Sequence, residues 1–330
     1  SWLCARANII YRAHIEMKKE LEKHRQQDLF YDMEMPLVKV LFDMEMAGIK
    51  IELDALKEYG EMIEDKIEII TKEIYDFAGQ EFNINSPKQL GIILFEKLEI
   101  PPLKKTKTGY STAADVLETL KNDYPIVDKV LEYRHLAKLK STYVDGLFAV
   151  VDKETSKIHS TFNQTITATG RISSTEPNLQ NIPIRFELGR KIRKVFVPSS
   201  KDYIFVDADY SQIELRILAH ISEDPTLIDA FKHDQDIHKI TASQVFNIPF
   251  DEVTEVQRNN AKAVNFGIVY GISAYSLSED LNITRKEAQL YIEGYFEKYP
   301  KVKQYLEDVV EFAKENGYVE TLFQRRRAIP

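Results

Sequence analysis

The chain has 330 residues, 44% of them hydrophobic, which is enough for two or three domains with cores of their own. It has no apolar run of about eighteen residues, which excludes a membrane-spanning helix, and one cysteine, Cys4, which excludes an internal disulfide framework. The single cysteine and the lack of signal-peptide features at the N-terminus indicate a cytoplasmic protein. The formal net charge of −8 argues only weakly against a polyanionic partner, because a basic groove can lie on an acidic body.

The first 150 residues are predicted to form a succession of amphipathic helices. Proline in the first turn and glycine just after the last turn are common helix boundaries, and a serine or asparagine before a helix caps its free N–H groups. These signals, with the spacing of apolar residues, place helices at 1–28, 33–48, 53–78, 88–98 and 113–148, the last divided at Pro125, with a short strand at 49–51.

A lysine-rich loop, LKKTKTGYST, follows Pro101-Pro102. Lysine, threonine and serine are residues that contact a nucleic-acid phosphate backbone. The alternative is that the loop is an ordinary solvated turn.

The character of the chain changes after Lys157. The segment IHSTFNQT alternates as a strand does. It leads into TATGRISSTEPNLQNIP, which is long, polar and rich in turn residues, and long structured loops are usually functional. Residues 185–194 then carry five basic side chains against one acidic side chain, which predicts a basic patch.

The segment YIFVDAD at 203–209 predicts a buried strand that runs directly into a helix, SQIELRILAHI. Asp207 and Asp209 are two apart on the strand and therefore share a face, where they could hold magnesium; equally, one could be structural and the other exposed. The pattern Ser211-x-x-Glu214 is typical of a capping box. Glu214 is therefore either a helix cap or a side chain that points towards the aspartates.

The last third of the chain is predicted to be helical. Helices begin after Asp224, at about Asp236, after the capping-box patterns Thr254-x-x-Gln257 and Thr284-x-x-Glu287, and at Pro300. A strand, YVETLF, and three arginines follow.

One of these helices, RNNAKAVNFGIVYG, carries four large side chains at intervals of four: Arg258, Lys262, Phe266 and Tyr270. Residues four apart are neighbours on a helix, so the four form a stripe about 18 Å long. Its cationic end matches phosphate oxygens and its aromatic end matches a base plane, as in a nucleoside triphosphate. The alternative is an ordinary amphipathic helix with aromatic core residues. Gly267 in mid-helix favours close approach by another group.

Several stretches resemble the bacterial DNA polymerase I family, most nearly polymerases of the Bacillus type. They occur in the family's order and cover nearly the whole chain: FNINSPKQLG, KKTKTGYST, KLKSTYV, TGRISSTEPNLQNIP, DYSQIELR and RNNAKAVNFGIVYG. The resemblance implies a mostly helical α+β right-hand fold with an incomplete palm. It assigns residues 1–28 to the last helix of an upstream exonuclease-like domain, 29–48 to the start of the palm, 49–150 to the thumb, 151–215 to the first part of the palm and 216–330 to the fingers.

The resemblance implies a DNA-directed DNA polymerase acting in replication and repair. Such an enzyme adds a dNTP to a primer 3′-hydroxyl by phosphoryl transfer with two magnesium ions. The expected partners are primer-template DNA and dNTPs, and the expected state is a cytoplasmic monomer.

Site residues follow from the same motifs. The resemblance makes Asp209 a metal ligand beside the Tyr210 backbone, with Arg258 and Lys262 holding the triphosphate. Asp207 lies outside the family pattern, so the paired-aspartate interpretation is dropped. Glu214 becomes a steric gate against a 2′-hydroxyl. The implied dNTP contacts are Tyr210, Ser211, Gln212, Ile213, Glu214, His238, Arg258, Lys262, Phe266 and Tyr270.

The implied DNA contacts lie mainly in two regions. The lysine-rich loop at 103–112, which lies in the thumb, and the segment after Lys138 would hold duplex phosphates. The polar loop would touch the terminal base pair in the minor groove, where all correct pairs share acceptors. These residues are Lys105, Lys107, Thr108, Lys140, Ser141, Thr142, Thr169, Arg171, Asn178, Gln180, Asn181 and Tyr270.

A second catalytic aspartate is expected, because Asp209 cannot hold two ions alone. The family carries it in a His-Asp-Glu turn, and we expect it beyond Pro330, in a parent protein truncated here at both ends. His233-Asp234 is interpreted as a look-alike on a surface connection. The 330 residues alone are expected to be inactive or nearly so. Two other interpretations are a non-catalytic DNA- or nucleotide-binding module and a single-subunit RNA polymerase relative, which Glu214 and Phe266 argue against.

Overall fold

The computed structural model describes residues 2–106, 109–184 and 187–329, with the side chains of residues 105 and 106 left undescribed. The chain divides into two compact units, 1–205 and 206–330. In the described residues, no helix is both long enough and apolar enough to span a bilayer.

The first unit is mainly helical. Its helices are α1 (Trp2–Lys23), α2 (Met35–Ala47), α3 (Leu53–Ala78), α4 (Pro87–Ile92), α5 (Ala114–Leu120), α6 (Pro125–Lys138), α7 (Gly146–Val150) and α8 (Glu187–Ile192). Single π-helical turns lie at Leu29–Glu34, Ile93–Lys97 and Leu139–Asp145, and a 3-10 turn lies at Arg193–Val195.

Local signals set these helix boundaries as predicted. Helix α3 stops at Gly79, whose φ of 65° lies in the left-handed region that favours glycine. The Ser86 side chain accepts a hydrogen bond from the Gln89 N–H at the start of α4. Pro36 occupies the first turn of α2, and Gly48 ends that helix. The break at Pro125 between α5 and α6 is also confirmed.

The core of the first unit is built around α3. Its buried stripe includes Leu56, Ile63 and Ile74, which are fully buried, because apolar residues recur at three, four and seven along the helix. These side chains belong to one cluster with apolar residues of α4, α5 and α6. The Tyr59 hydroxyl donates to the Leu188 carbonyl at 3.1 Å, which ties α3 to α8.

Short antiparallel strands complete this unit. Strand β1 (Ile49–Ile51) lies between β4 (Lys157–Ile158) and β7 (Phe196–Val197), with Lys50 opposite both Lys157 and Val197. Two further pairs are β2 (Lys105–Thr106) with β3 (Gly109–Tyr110), and β5 (Thr161–Asn163) with β6 (Ser173–Thr175).

The prediction of a buried strand at 203–209 is wrong. These residues form no strand and pair with no other strand within the described part of the chain, and Ile204 and Val206 are 81% and 82% exposed. Apolar, β-branched composition favours a pleated environment, but a strand also needs a neighbouring backbone to satisfy its N–H and C=O groups. The described residues offer no such neighbour, so composition alone gave the wrong answer.

The second unit is a helical cluster with one hairpin. Its helices are α9 (Ile213–Ser222), α10 (Pro225–Lys232), α11 (Ile237–Val245), α12 (Glu255–Val269), α13 (Ala274–Leu281), α14 (Arg285–Lys298) and α15 (Pro300–Asn316). A 3-10 turn spans Phe250–Glu252, and β8 (Tyr318–Glu320) pairs with β9 (Arg326–Ala328). The predicted capping boxes at Thr254 and Thr284 are both confirmed.

The core of the second unit gathers α9, α12, α14 and α15. Leu215, Val264 and Val302 are fully buried in it, together with two large aromatic side chains, Tyr295 and Tyr299. The tyrosine rings lie 4.7 Å apart between centroids, so they form a single aromatic block at the end of α14.

Gly267 is expected to be needed for packing in α12. A Cβ built there would lie 2.7 Å from Ile272 Cγ2 and 3.2 Å from Ile272 Cβ, which are not the ends of a flexible chain. Alanine would gain about 1 kcal/mol in helix propensity, but overpacking costs about 1–3 kcal/mol. We therefore expect Gly267→Ala to lower the free energy of unfolding in urea.

The matched control for this substitution is Gly294→Ala in α14. A Cβ at Gly294 has open space within 4 Å, so this variant is expected to gain stability by up to about 1 kcal/mol. Equal stabilisation of both variants would contradict the packing role of Gly267.

Candidate functional site

The predicted stripe lies along α12. Arg258 and Phe266 are half-buried, and Lys262 is exposed. The helix begins at the Thr254 capping box and ends one residue before Tyr270, which is the C-terminal cap and not a helical residue. Gly271 follows with φ of 69°. The stripe therefore presents its cations from helical turns and its last aromatic side chain from the helix end.

A carboxylate that the sequence analysis missed holds Arg258. The Arg258 Nε donates to Asp236 Oδ2 at 2.7 Å, while Nη1 lies 3.6 Å from exposed Glu255. The other Asp236 oxygen accepts from the N–H groups of His238 and Lys239, capping α11. One carboxylate therefore joins the first turn of α11 to the guanidinium on α12.

The charges of this pair support each other. Burial by itself raises the pKa of Asp236, but the hydrogen bond and charge of Arg258 and the Lys239 N–H outweigh it, so the pKa lies below its ordinary value. The same hydrogen bond raises the pKa of Arg258. The guanidinium is thus held as a cation through Nε.

Glu214 contacts the aromatic end of the stripe. The Tyr270 hydroxyl donates to Glu214 Oε2 at 2.7 Å, which joins the end of α12 to the first turn of α9. Of the two alternatives for Glu214, the capping box does not form: the residue before α9 is Gln212, in the left-handed region at φ 53°, and no side chain caps the helix there. Arg216 instead holds this turn, since its Nε donates to the Ser211 carbonyl at 2.9 Å.

His238 lies against the middle of the stripe. Its ring centroid is 5.8 Å from that of Phe266, and the residue is 3% exposed. The amide Nδ2 of Asn265 lies 2.9 Å from His238 Nδ1. Burial lowers the pKa of His238; Asp236 acts in the opposite direction, and Arg258 and Lys262 lower it further.

Asp209 lies in the exposed segment that precedes α9. Asp207, Asp209 and Ser211 are all exposed, Tyr210 is 78% exposed and Ile213 is 40% exposed. A free carboxylate next to exposed backbone carbonyls provides the hard oxygen ligands that magnesium takes. Within the described ranges, however, no three His, Cys, Asp or Glu side chains group as a metal site. The described residues therefore place one exposed carboxylate at this position, without further metal-ligating side chains grouped around it.

His233-Asp234 lies at the exposed turn after α10, as predicted. His233 caps the helix, and its Nδ1 lies 3.2 Å from Asp229 Oδ1.

The structure describes only some of the predicted DNA contacts in the thumb. Lys107 and Thr108 lie outside the described residues, and of Lys105 only the backbone, in β2, is described. Lys140 pairs with Asp145 at 2.7 Å and Glu64 at 3.3 Å, while Ser141 and Thr142 are exposed beside it. A phosphate would therefore have to compete with two carboxylates for Lys140.

The polar loop is held by its own side chains. Gln180 accepts from the Ser174 N–H through Oε1 and donates from Nε2 to the Ile172 carbonyl. Asn178 accepts from the Gln180 N–H, and the Asn181 carbonyl accepts from the Tyr143 hydroxyl. Gln180 thus shapes the loop that presents the exposed side chains of Thr169, Arg171, Asn178 and Asn181. In the predicted basic patch, Arg185 lies outside the described residues, and Arg190, Arg193 and Lys194 are exposed.

Asn265 is the second residue that sequence reasoning missed. It lies on the buried face of α12 with Ala261, Val264 and Ile268, and is itself fully buried. The available signal was a single amide within an otherwise apolar helix face.

Comparison with known proteins identifies the family. The model for DNA polymerase family A matches residues 53–330. The chain belongs to DNA polymerase family A.

Two relatives show how much of a family A protein this chain spans. It is 55% identical over 329 residues to DNA polymerase I of Bacillus caldotenax, covering 99% of this chain and 38% of that protein. It is 56% identical over 315 residues to DNA polymerase I of Bacillus subtilis, covering 96% and 36%. The chain thus spans less than two fifths of these relatives.

A solved structure confirms the mostly helical α+β polymerase fold of this family A chain. The structure is the POL domain of Pol1 from M. smegmatis in complex with DNA primer-template and dNTP. It matches with a TM-score of 0.85 at 45% identity, covering 94% of this chain and 55% of that one.

Proposed function

We propose that this chain supplies the nucleotide site and part of the DNA-binding surface for template-directed DNA synthesis. The observation that carries the proposal is the stripe on α12, whose cationic end is held by Asp236 and whose aromatic end contacts Glu214. The solved relative was complexed with primer-template and dNTP, which supports the same ligands here.

In this proposal Arg258 and Lys262 bind the triphosphate. Arg258 offers a planar fork and Lys262 a point charge, and both stabilise the charge that develops on the leaving pyrophosphate. Phe266 packs on the sugar and base, and Tyr270 stacks at the template-primer end. Glu214 lies against the sugar, where it excludes a 2′-hydroxyl.

Asp209 and the Tyr210 carbonyl would hold magnesium. The bound ions would activate the primer 3′-hydroxyl and neutralise the pyrophosphate. Asp209 provides one charged ligand, and Mg²⁺ usually completes its shell with water and substrate phosphates.

In this proposal the segments of the chain correspond to the subdomains of a polymerase. We assign residues 49–150 to the thumb, 29–48 and 151–215 to the palm, 216–330 to the fingers and 1–28 to an upstream exonuclease-like domain. Exposed Ser141, Thr142, Thr169, Arg171, Asn178 and Asn181 would meet primer-template DNA. The protein would act as a cytoplasmic monomer in replication and repair.

Primer extension tests this function. We define the completed polymerase as a chimera in which Pro330 is followed by the C-terminal remainder of DNA polymerase I of Bacillus subtilis. It is expected to extend a primer on a template with Mg²⁺ and dNTPs. The 330 residues alone are expected to bind MgdATP but not to extend, because two-ion transfer needs carboxylates for both ions and no group of three metal ligands lies among the described residues.

Robust extension by the 330 residues alone would overturn the two-ion argument. A chimera that is folded and binds both ligands, yet does not extend, would favour the alternative of a non-catalytic binding module. The observation that favours the binding-module alternative is that no three His, Cys, Asp or Glu side chains group as a metal site among the described residues.

Glu214→Ala separates a DNA polymerase from an RNA polymerase relative. In the completed polymerase, we expect it to reduce discrimination of dATP against ATP by about 10- to 200-fold, the usual range for one small group in a pocket. The ratio of kcat/KM for the two nucleotides measures the effect. Glu279→Ala, which removes an exposed glutamate of α13, is the control and should leave the ratio unchanged. Unchanged selectivity in Glu214→Ala would refute the gate.

A further inference from the structure

A chain of buried polar side chains runs behind the stripe to His238. It starts at Tyr299, passes Thr241 of α11 and reaches Asn265 of α12; all three residues are 0% exposed. The Tyr299 hydroxyl lies 3.3 Å from Thr241 Oγ1, which lies 3.1 Å from Asn265 Oδ1. Asn265 Nδ2 then lies 2.9 Å from His238 Nδ1. Buried polar groups are costly unless each has a partner, and here each one does.

The direction of these hydrogen bonds follows from donor and acceptor chemistry. Thr241 donates its one proton to the Asn265 carbonyl oxygen, so the amide nitrogen of Asn265 is the group that meets His238. An amide nitrogen only donates, so His238 Nδ1 must accept. The proton of the neutral imidazole then resides on Nε2.

The Tyr299 hydroxyl is the first donor in this series of hydrogen bonds and sets the direction of the next one. Burial raises the pKa of Tyr299 to about 12, so its hydroxyl keeps a proton to donate. Thr241 Oγ1 can accept that proton through a lone pair while its own proton goes to Asn265 Oδ1. If Thr241 donated to Tyr299 instead, the Tyr299 proton would be buried without the acceptor that Thr241 now provides, which is the unfavourable case.

The position of Asn265 supports a specific role. It shares the buried face of α12 with Ala261, Val264 and Ile268, where an apolar side chain would pack without any polar cost. An amide there is useful only through what it bonds, and its two partners are Thr241 and His238.

We propose that Asn265 and Thr241 are positioning residues that hold His238 as the Nε2–H tautomer, a neutral donor for a phosphate oxygen of the nucleotide beside Arg258 and Lys262. The phosphate part rests on the proposed function, whereas the tautomer does not. Because Nδ1 is engaged by Asn265, Nε2 is the ring atom left for a ligand, and the ring already lies against Phe266.

The groups around the ring favour the neutral form. Burial lowers the pKa of His238, and Arg258 and Lys262 lower it further, against the opposing charge of Asp236. A neutral donor adds a hydrogen bond between two cations without adding a third charge.

Long-range ¹H–¹⁵N correlation spectra of the ¹⁵N-labelled 330-residue chain test the tautomer without any variant. His238 is assigned by the loss of its signals in His238→Gln. At neutral pH we expect a protonated Nε2 and an unprotonated Nδ1. A protonated Nδ1, either as the other tautomer or as imidazolium, would overturn the inference.

Two variants test the positioning residues. Asn265→Asp is nearly isosteric but cannot donate, so Nδ1 of His238 should become protonated. Thr241→Val frees the amide to rotate, so a mixture of tautomers is expected. Asn260→Asp places the same charge on α12 away from His238 and should leave the spectrum unchanged. Identical spectra in Asn265→Asp and Asn260→Asp would contradict the role of Asn265; if Asn265→Asp is unfolded, Thr241→Val and the wild-type spectrum decide.

MgdATP is then the probe for the phosphate contact. Its addition should shift the Nε2–H signal, and His238→Ala should weaken MgdATP binding by about tenfold, the worth of one hydrogen bond to a charged group. If the signals of Arg258 and Lys262 respond and Nε2–H does not, the proposed function of α12 stands and the donor role of His238 is overturned. If none responds, the proposed function fails, and the tautomer spectrum still decides the roles of Asn265 and Thr241.

Discussion

Asp209→Asn is expected to lower the rate of primer extension by the completed polymerase by about a thousandfold, because holding a catalytic metal ion contributes several kcal/mol at the transition state. Asparagine keeps one oxygen ligand and loses the charge that holds the cation. MgdATP binding should be largely retained, because Arg258 and Lys262 hold the triphosphate in our proposal. Extension rate against Mg²⁺ concentration, with calorimetric MgdATP binding, measures both effects.

Asp207→Asn is the matched control. Asp207 lies two residues away in the same exposed segment, so the two variants change charge equally at nearly the same place. We expect Asp207→Asn to retain most of the activity. Equal losses in both variants would mean that general charge matters there and that Asp209 is not a specific ligand.

Arg258→Ala and Lys262→Ala are each expected to weaken MgdATP binding to the 330-residue chain by about 10- to 100-fold, since each removes one of the charge-assisted phosphate contacts that we propose. Arg258→Lys should recover only part of the loss, because lysine lacks the fork and the Nε that Asp236 engages. Isothermal titration calorimetry measures these affinities.

Arg285→Ala and Lys286→Ala remove the same two charges from exposed positions in α14 of the same unit. They are expected to leave the affinity within about twofold, because salt screens charges that lie in solvent. Similar losses in the α12 and α14 variants would assign binding to net charge and remove the case for the stripe.

Most helix boundaries in this chain are predictable from sequence because they depend on local groups. The caps at Ser86, Asp224, Thr254 and Thr284 each satisfy N–H groups two or three residues away. Gly79 likewise ends α3 through its own backbone conformation. A single sequence contains all that such contacts require.

The failures share a different cause, which is dependence on a distant partner. The segment 203–209 has the composition of a strand, but pairing decides whether a strand forms. Ser211 and Glu214 have the spacing of a capping box, yet Glu214 accepts instead from Tyr270, 56 residues away. Tertiary contacts of this kind cannot be read from spacing.

The residues of the candidate site that we propose to contact the nucleotide were predictable from the sequence. Arg258, Lys262, Phe266 and Tyr270 were found because helical periodicity aligns them. The residues that support them, Asp236 and Asn265, could not be found in this way. They act through contacts that depend on how α11 packs on α12. The side chains proposed to touch the nucleotide follow from the sequence, and those that position them follow from the fold.

The polarity of the stripe is the central claim, and separate ligand fragments test it most directly. In NMR titrations of the 330-residue chain, inorganic tripolyphosphate with Mg²⁺ should shift the side-chain signals of Arg258 and Lys262. Deoxyadenosine, which has no phosphate, should shift those of Phe266 and Tyr270, and MgdATP should shift all four. Shifts by both fragments at the same end of α12, or at neither end, would contradict the account.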